Sequence, residues 1–196
     1  MSSNSNSKEY QEIVQISNMI YQEYKEESAI WEGSPFEWIK HRPSRSIGAI
    51  GEKIIAAWLA MHNFNVSRSP DSQADRIVEG KRVEIKFSTL WQSGDYKFQQ
   101  LRDQKYDFVI MFGISPHDAH CWVIPKSEII RLWKVDKLIS SQHGGASGSD
   151  TAWVDLTPDN TFAPLAKFGC SLHDALMNIS KLTGYTPEKL EKSFDE

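Results

Sequence analysis

Residues 69–88, SPDSQADRIVEGKRVEIKFS, decide the fold. ADRIV (74–78) and KRVEIKF (81–87) alternate apolar and polar side chains with period two, the pattern of half-buried strands. Glu79-Gly80 between them is a two-residue linker suited to a tight hairpin. That turn fixes the register: Val78 faces Lys81, Ile77 faces Arg82, Arg76 faces Val83, and Asp75 faces Glu84. Directly opposed residues of an antiparallel pair have Cβ atoms about 5 Å apart and share a face. Two carboxylates so placed repel each other unless a proton or a cation sits between them. Magnesium accepts carboxylate and water oxygens in octahedral geometry. Alternation puts Arg82, Glu84, Lys86 and Ser88 on one face and Val83, Ile85 and Phe87 on the other. Lys86 therefore joins the two carboxylates. Asp71 follows Pro70, before the strand, and reads as a turn residue. A Glu and a Lys two apart on a strand also make an ordinary wetted face. The opposed aspartate sets this pair apart.

Outward from the hairpin, helical and strand-like segments alternate. In SIGAIGEKIIAAWLAMHN (46–63), Ile47, Ile50, Ile54, Ala57, Trp58 and Met61 form one apolar helical stripe, with Ser46 as the expected cap. Glu52 lies off the centre of that stripe. Ile13, Ile16, Ile20 and Tyr24 give a second stripe, over 10–24, and a short helical turn is expected over 36–39. Downstream, 90–105 (LWQSGDYKFQQLRDQK) is polar and mixed, and a loop with a short helix is expected. YDFVIMFGI (106–114) is continuously apolar, as in a strand buried on both faces. HCWVIP is a further strand, and Pro125 opens the helix KSEIIRLWKV. SSQHGGASGSD (140–150) is a loop, TAWVDL a last strand, and SLHDALMNISKLTG a helix stopped by Gly184. TPEKLEKSF starts a final helix at Thr186. The class expected is α/β (α+β), a small mixed β-sheet flanked by helices.

With 196 residues, 40% hydrophobic and 24% charged, the chain fits one soluble domain. Residues 1–9 are expected to be a disordered tail and 10–196 a single domain. No apolar run approaches the roughly 18 residues of a membrane span. The polar start, MSSNSNSKEYQE, lacks the apolar core of a secretion signal. Cys121 and Cys170 are far apart, so the expectation is no disulfide framework and a cytoplasmic location. A net charge of −4 argues against coating nucleic acid by bulk charge. It leaves room for an enzyme that gathers its basic residues on one face.

Asp75, then eight residues, then Glu84-Ile85-Lys86, within an α-β-β-β-α-β order, resembles the PD-(D/E)XK nuclease superfamily, with its restriction-endonuclease-like core. The resemblance covers about 48–134 and is most similar to small type II restriction endonucleases. Glu52 looks like the acidic residue many members carry on the preceding helix; a helix-surface glutamate is the alternative. Two departures stand out. The literal Pro-Asp dipeptide is Pro70-Asp71, whereas the hairpin favours Asp75. Gln99, Gln100, Gln104 and Tyr106 do not reproduce the Gln-Tyr interval of RecB-like exonucleases. The resemblance implies phosphodiester hydrolysis of double-stranded DNA with Mg²⁺, Mn²⁺ being a substitute. It implies Asp75, Glu84 and the Ile85 carbonyl as metal ligands, Lys86 beside the attacking water, Glu52 near a metal-bound water or second ion, and a homodimer that cuts both strands.

Candidates for contacting DNA fall in three groups. Arg42 and Arg45, with Lys40, His41 and Trp38, form the densest basic cluster, a phosphate clamp or simply a solvated turn. Thr89, Trp91, Gln92, Lys97, Gln100 and Arg102 follow the Glu84–Lys86 strand. His143 and Ser147, near Asp150, lie in a loop that either enters a groove or merely connects. His117-x-x-His120 lacks the partners of a zinc site, and Cys121 reads as a buried strand cysteine.

Overall fold

Glu79 and Gly80 both take positive φ, 47° and 78°, the left-handed pair of a type I′ hairpin turn. They join β2 (Arg76–Val78) to β3 (Lys81–Thr89), with Arg76 opposite Val83, Ile77 opposite Arg82 and Val78 opposite Lys81. Asp75 does not extend this ladder opposite Glu84. Its N–H donates to the Val83 carbonyl at 2.9 Å, and Val83 already pairs with Arg76. Two residues oppose one, so the strand bends away at Asp75. β2 pairs with β3 only as far as Val83, leaving that edge of β3 open from Glu84 onward.

The computed structural model describes residues 7–142 and 150–188. Before the hairpin come α1 (Lys8–Ala29), α2 (Glu37–Lys40), α3 (Ser44–Met61) and β1 (Val66–Arg68). After it come β4 (Tyr96–Leu101), β5 (Phe108–Ile114), β6 (Ala119–Pro125) and α4 (Lys126–Ile130), which a π-helical turn extends over Arg131–Val135. Then follow β7 (Ser140–Gln142), β8 (Thr151–Leu156), α5 (Ala163–Ala166), β9 (Gly169–Cys170) and α6 (Leu172–Thr183). A six-stranded mixed sheet has the order β1-β2-β3-β5-β6-β9, and a three-stranded sheet the order β4-β8-β7. β3 and β5 run parallel; the other pairs are antiparallel. The architecture is therefore mixed α/β, with helices flanking the larger sheet. None of the described helices is long and apolar enough to cross a membrane.

Alternation along the strands builds two cores. Val83, Ile85, Ile110 and Phe112 face α3 (Ile55, Leu59) and α6 (Ala175, Ile179). Val109, Met111, Trp122 and Ile124 face the small sheet (Tyr96, Phe98, Val154, Leu156) and the α4 segment (Ile129, Leu132). β5 is buried along its whole length, as its unbroken apolar run requires. Gly51 sets the approach of α3 to β3: a Cβ there would lie 2.2 Å from Cγ of Phe87. That close seat brings the next residue, Glu52, toward the open edge of β3.

Three expectations are corrected. Residues 96–101 form a strand, not a loop with a helix, because Tyr96, Phe98 and Leu101 bury against the large sheet while β8 supplies the pairing. α3 begins at Ser44 with Pro43 at its cap position and no side-chain cap; Ser46 already lies within the helix. Residues 140–142, expected within a loop, form β7. The helix expected over 10–24 forms within α1, with Ile13, Ile16 and Ile20 exposed. Helical spacing shows that a helix has an apolar face, not what covers it. Gly184 stops α6 as expected, at φ 74°, and Ser171 caps its start, its side chain accepting the Asp174 N–H. The segment after residue 188 lies outside the described residues.

Candidate active site

Glu84 is 6% exposed, and among the described residues it is the one charged side chain in the buried set; Ser34, Ser88, Thr151 and Ser180 are its only buried polar companions there. A buried carboxylate is unfavourable unless it is paired. Lys86 Nζ lies 2.8 Å from Glu84 Oε1 and is itself mostly buried. Desolvation pushes the Glu84 pKa up, and the Asp75 charge pushes the same way; Lys86 and, less strongly, Arg102 pull it down. The net direction is upward, so burial outweighs the lysine.

Asp75 sits beside this pair. Its Oδ2 accepts the Ile85 N–H at 2.7 Å, where a longer β2 would have supplied a ladder partner. N–H and C=O of one strand residue point to the same side. The Ile85 carbonyl therefore also faces the open edge. Glu52 Oε2 lies 3.5 Å from Arg76 Nη1, and the same nitrogen donates to the Asp75 carbonyl at 2.8 Å. Burial raises the Glu52 pKa first, then the charge of Asp75; Arg76 opposes, Glu84 adds to the rise and Lys86 opposes. The carboxyls of Glu52, Asp75 and Glu84 thus share one field of excess negative potential.

Glu52, Asp75, Ile85 and Lys86 line a cleft of about 410 Å³, whose further wall includes Thr89, Trp91, Lys97 and Gln100. Glu84 is not on the cleft surface. Asp71 stands apart, paired with Arg82 and accepting the Gln73 N–H at 2.9 Å, which holds its carboxyl below the usual range. It is a turn residue.

The donor set suits a hard cation: two carboxylates and a backbone carbonyl, all oxygen, with no thiolate or imidazole. Among the described residues no group of three or more His, Cys, Asp and Glu side chains is gathered to hold a metal. Glu84 turns to Lys86, Asp75 to the Ile85 N–H and Glu52 to Arg76. The fit to Mg²⁺ therefore rests on Asp75, Glu84 and the Ile85 carbonyl rather than on three carboxylates.

The other expected contacts scatter. Arg42 packs over Trp38, 5.6 Å from its ring centre. Arg42, Arg45 and Gln92 are not among the cleft-lining residues. Arg102 lines a separate hollow with Lys134 and Lys137. His143 and Ser147 lie outside the described residues. His120 Nδ1 is 2.8 Å from the Tyr96 hydroxyl, and the Cys121 thiol is buried with its pKa raised by desolvation. Sequence reading missed Arg76, which carries no motif. It also missed Gln99 and Ser88, which line the cleft. Ser88 could have been found, because it shares the Glu84–Lys86 face by alternation; its Oγ accepts the Lys97 N–H at 3.0 Å and ties β4 to β3.

No family model matches the chain, and no curated protein matches it. Among solved structures, a bacterial homing endonuclease is similar over 59% of this chain and 77% of its own, at 16% identity and a TM-score of 0.38. A likeness of that size carries no argument about the site, which stands on its own geometry.

Proposed function

We propose that the chain is a Mg²⁺-dependent DNA endonuclease that hydrolyses phosphodiester bonds at a specific double-stranded site, in the manner of a type II restriction endonuclease. One observation carries this reading. A buried carboxylate, Glu84, lies under Lys86 and beside Asp75, at an open strand edge that faces a cleft. A structural role does not explain it, since burial raises the Glu84 pKa despite the lysine. Such perturbed groups collect at functional sites.

Asp75, Glu84 and the Ile85 carbonyl would hold the ion, with Mn²⁺ as a substitute. Bound there, Mg²⁺ supplies Lewis acidity and a water of lowered pKa. Lys86 holds the attacking water and offsets the charge that builds on the phosphate oxygens in the transition state. Glu52, held by Arg76, adds negative potential at the same cleft. Each copy has one such site and cuts one strand, so a symmetric homodimer would cut both strands of a palindrome. Repair, homing or structure-specific cleavage would use the same chemistry.

A second reading, a DNA-binding module without catalysis, is favoured by one observation: each carboxylate already has a protein partner, and no three-ligand group is gathered among the described residues. Incubation with supercoiled plasmid in Mg²⁺ or in EDTA, beside Lys86→Ala, separates the two. Discrete cuts in Mg²⁺, absent in EDTA and in the variant, support the nuclease. Binding without cutting in either Mg²⁺ or Mn²⁺ supports the module.

A further inference from the structure

β4 carries one residue too many. Phe98 pairs with Val154 and Leu101 with Ala152, so Gln99 and Gln100 together oppose Trp153 alone. Tyr96 and Phe98 point into the core, and strict alternation would send Gln100 after them and leave Leu101 outside. The extra residue returns Leu101 to the core, where it is fully buried. Both glutamines are left on the wall of the candidate active-site cleft. Gln100 takes φ 56° to achieve this. That left-handed conformation suits glycine and, less often, Asn or Asp; a glutamine there is strained. Bulges beside active sites commonly re-aim a side chain. Neither glutamine side chain has a hydrogen-bond partner among the described residues. Two free carboxamides therefore stand beside Lys86 and Lys97 in one cleft.

A carboxamide presents a donor and an acceptor side by side. That pair matches N6 and N7 of adenine on the major-groove edge. We propose that Gln99 and Gln100 read adenine next to the scissile phosphate, so that the preferred site carries an A·T pair there. The proposal rests on the nuclease reading of this cleft, since it takes DNA as the occupant. The lysines at the same cleft supply phosphate contacts, which position DNA without reading it.

The test uses a pool of randomised duplexes, cut in Mg²⁺ by the wild-type chain, Gln99→Ala and Gln100→Gly, with the cut sites sequenced. Glycine at 100 keeps the left-handed backbone and removes the side chain with its amide. The readout is the ratio of cutting at the preferred sequence to cutting with A·T exchanged for G·C, whatever happens to the total rate. A wild-type preference for A·T, falling about tenfold or more at one position in each variant, is the expected result. Absence of an A·T preference, or a ratio unmoved in both variants, overturns the proposal. If nothing is cut, the same pool is bound in Ca²⁺ and the retained fraction sequenced. Enrichment of A·T that Gln100→Gly loses keeps the base reading while hydrolysis fails; no enrichment, or no retention, overturns it. Cooperative melting of both variants excludes unfolding as the cause.

Discussion

Nζ of Lys86 lies 2.8 Å from Oε1 of Glu84, yet the lysine does not bring the glutamate back to its ordinary pKa. Desolvation and Asp75 together outweigh it. A folded-state pKa raised above the unfolded value means that ionising Glu84 opposes folding. Its favourable contribution is complete below about pH 4.5, the ordinary glutamate value, and is lost as pH rises through the raised pKa. Glu84→Gln mimics the neutral acid. It is expected to raise the melting temperature at neutral pH and to flatten stability against pH above about 4.5, while activity is lost. Thermal melts from pH 4 to 8 check this. A variant that melts lower at neutral pH would show that the Lys86 pairing dominates.

The same excess of negative charge predicts a response to cations. Mg²⁺ that binds the folded chain alone stabilises it by mass action, by about 1.4 kcal/mol at ten times the Kd, or a few degrees in Tm. The shift is expected with wild type and expected to vanish in Asp75→Asn. Melts across a Mg²⁺ titration at constant ionic strength measure it, and an equal shift in the variant would place the ion elsewhere.

Gly51 sets the distance between α3 and β3: a Cβ there would lie 2.2 Å from Cγ of Phe87. Gly51→Ala overpacks this contact, at about 1–3 kcal/mol. Urea unfolding should show that loss. Cleavage should fall with it, because Glu52 rides on the displaced helix. No loss in Gly51→Ala would mean that the helix shifts freely.

The hairpin was legible because its information is local. Glu79-Gly80, the alternation on either side and the position of Asp75 all lie within 20 residues. The same local reading separated Asp75 from Asp71, which the fold ties to Arg82 instead. It failed at the last step of the ladder, where the strand bends and the Asp75 side chain accepts the Ile85 N–H instead of Asp75 pairing with Glu84. β4 was illegible for the opposite reason. Its partner β8 lies about 50 residues away, and the bulge at Gln99-Gln100 breaks the period that would have announced a strand. Arg76 bridging Glu52 and Asp75 depends on how α3 seats on the sheet, which no spacing encodes.

The bulge also makes a prediction about stability. An L-residue in the left-handed region costs about 1–2 kcal/mol, and glycine forfeits about 0.5–1 kcal/mol of chain entropy. Gln100→Gly should therefore be more stable than wild type by about 0.5–1 kcal/mol. Denaturant midpoints test this. A loss of stability would mean that the Gln100 side chain supports the fold rather than standing free in the cleft.

In the proposed nuclease, Asp75, and not the Asp71 of the Pro-Asp dipeptide, works with Glu84 and Lys86 on the phosphodiester. The direct measurement is the nicking rate of supercoiled plasmid in Mg²⁺ by wild type, Asp71→Asn and Asp75→Asn. Asp75→Asn should lose about 10²-fold or more, the scale of removing one transition-state-stabilising group. Asp71→Asn should stay within a few-fold of wild type. Undiminished nicking by Asp75→Asn, or an equal loss in Asp71→Asn, would rule out this role for Asp75.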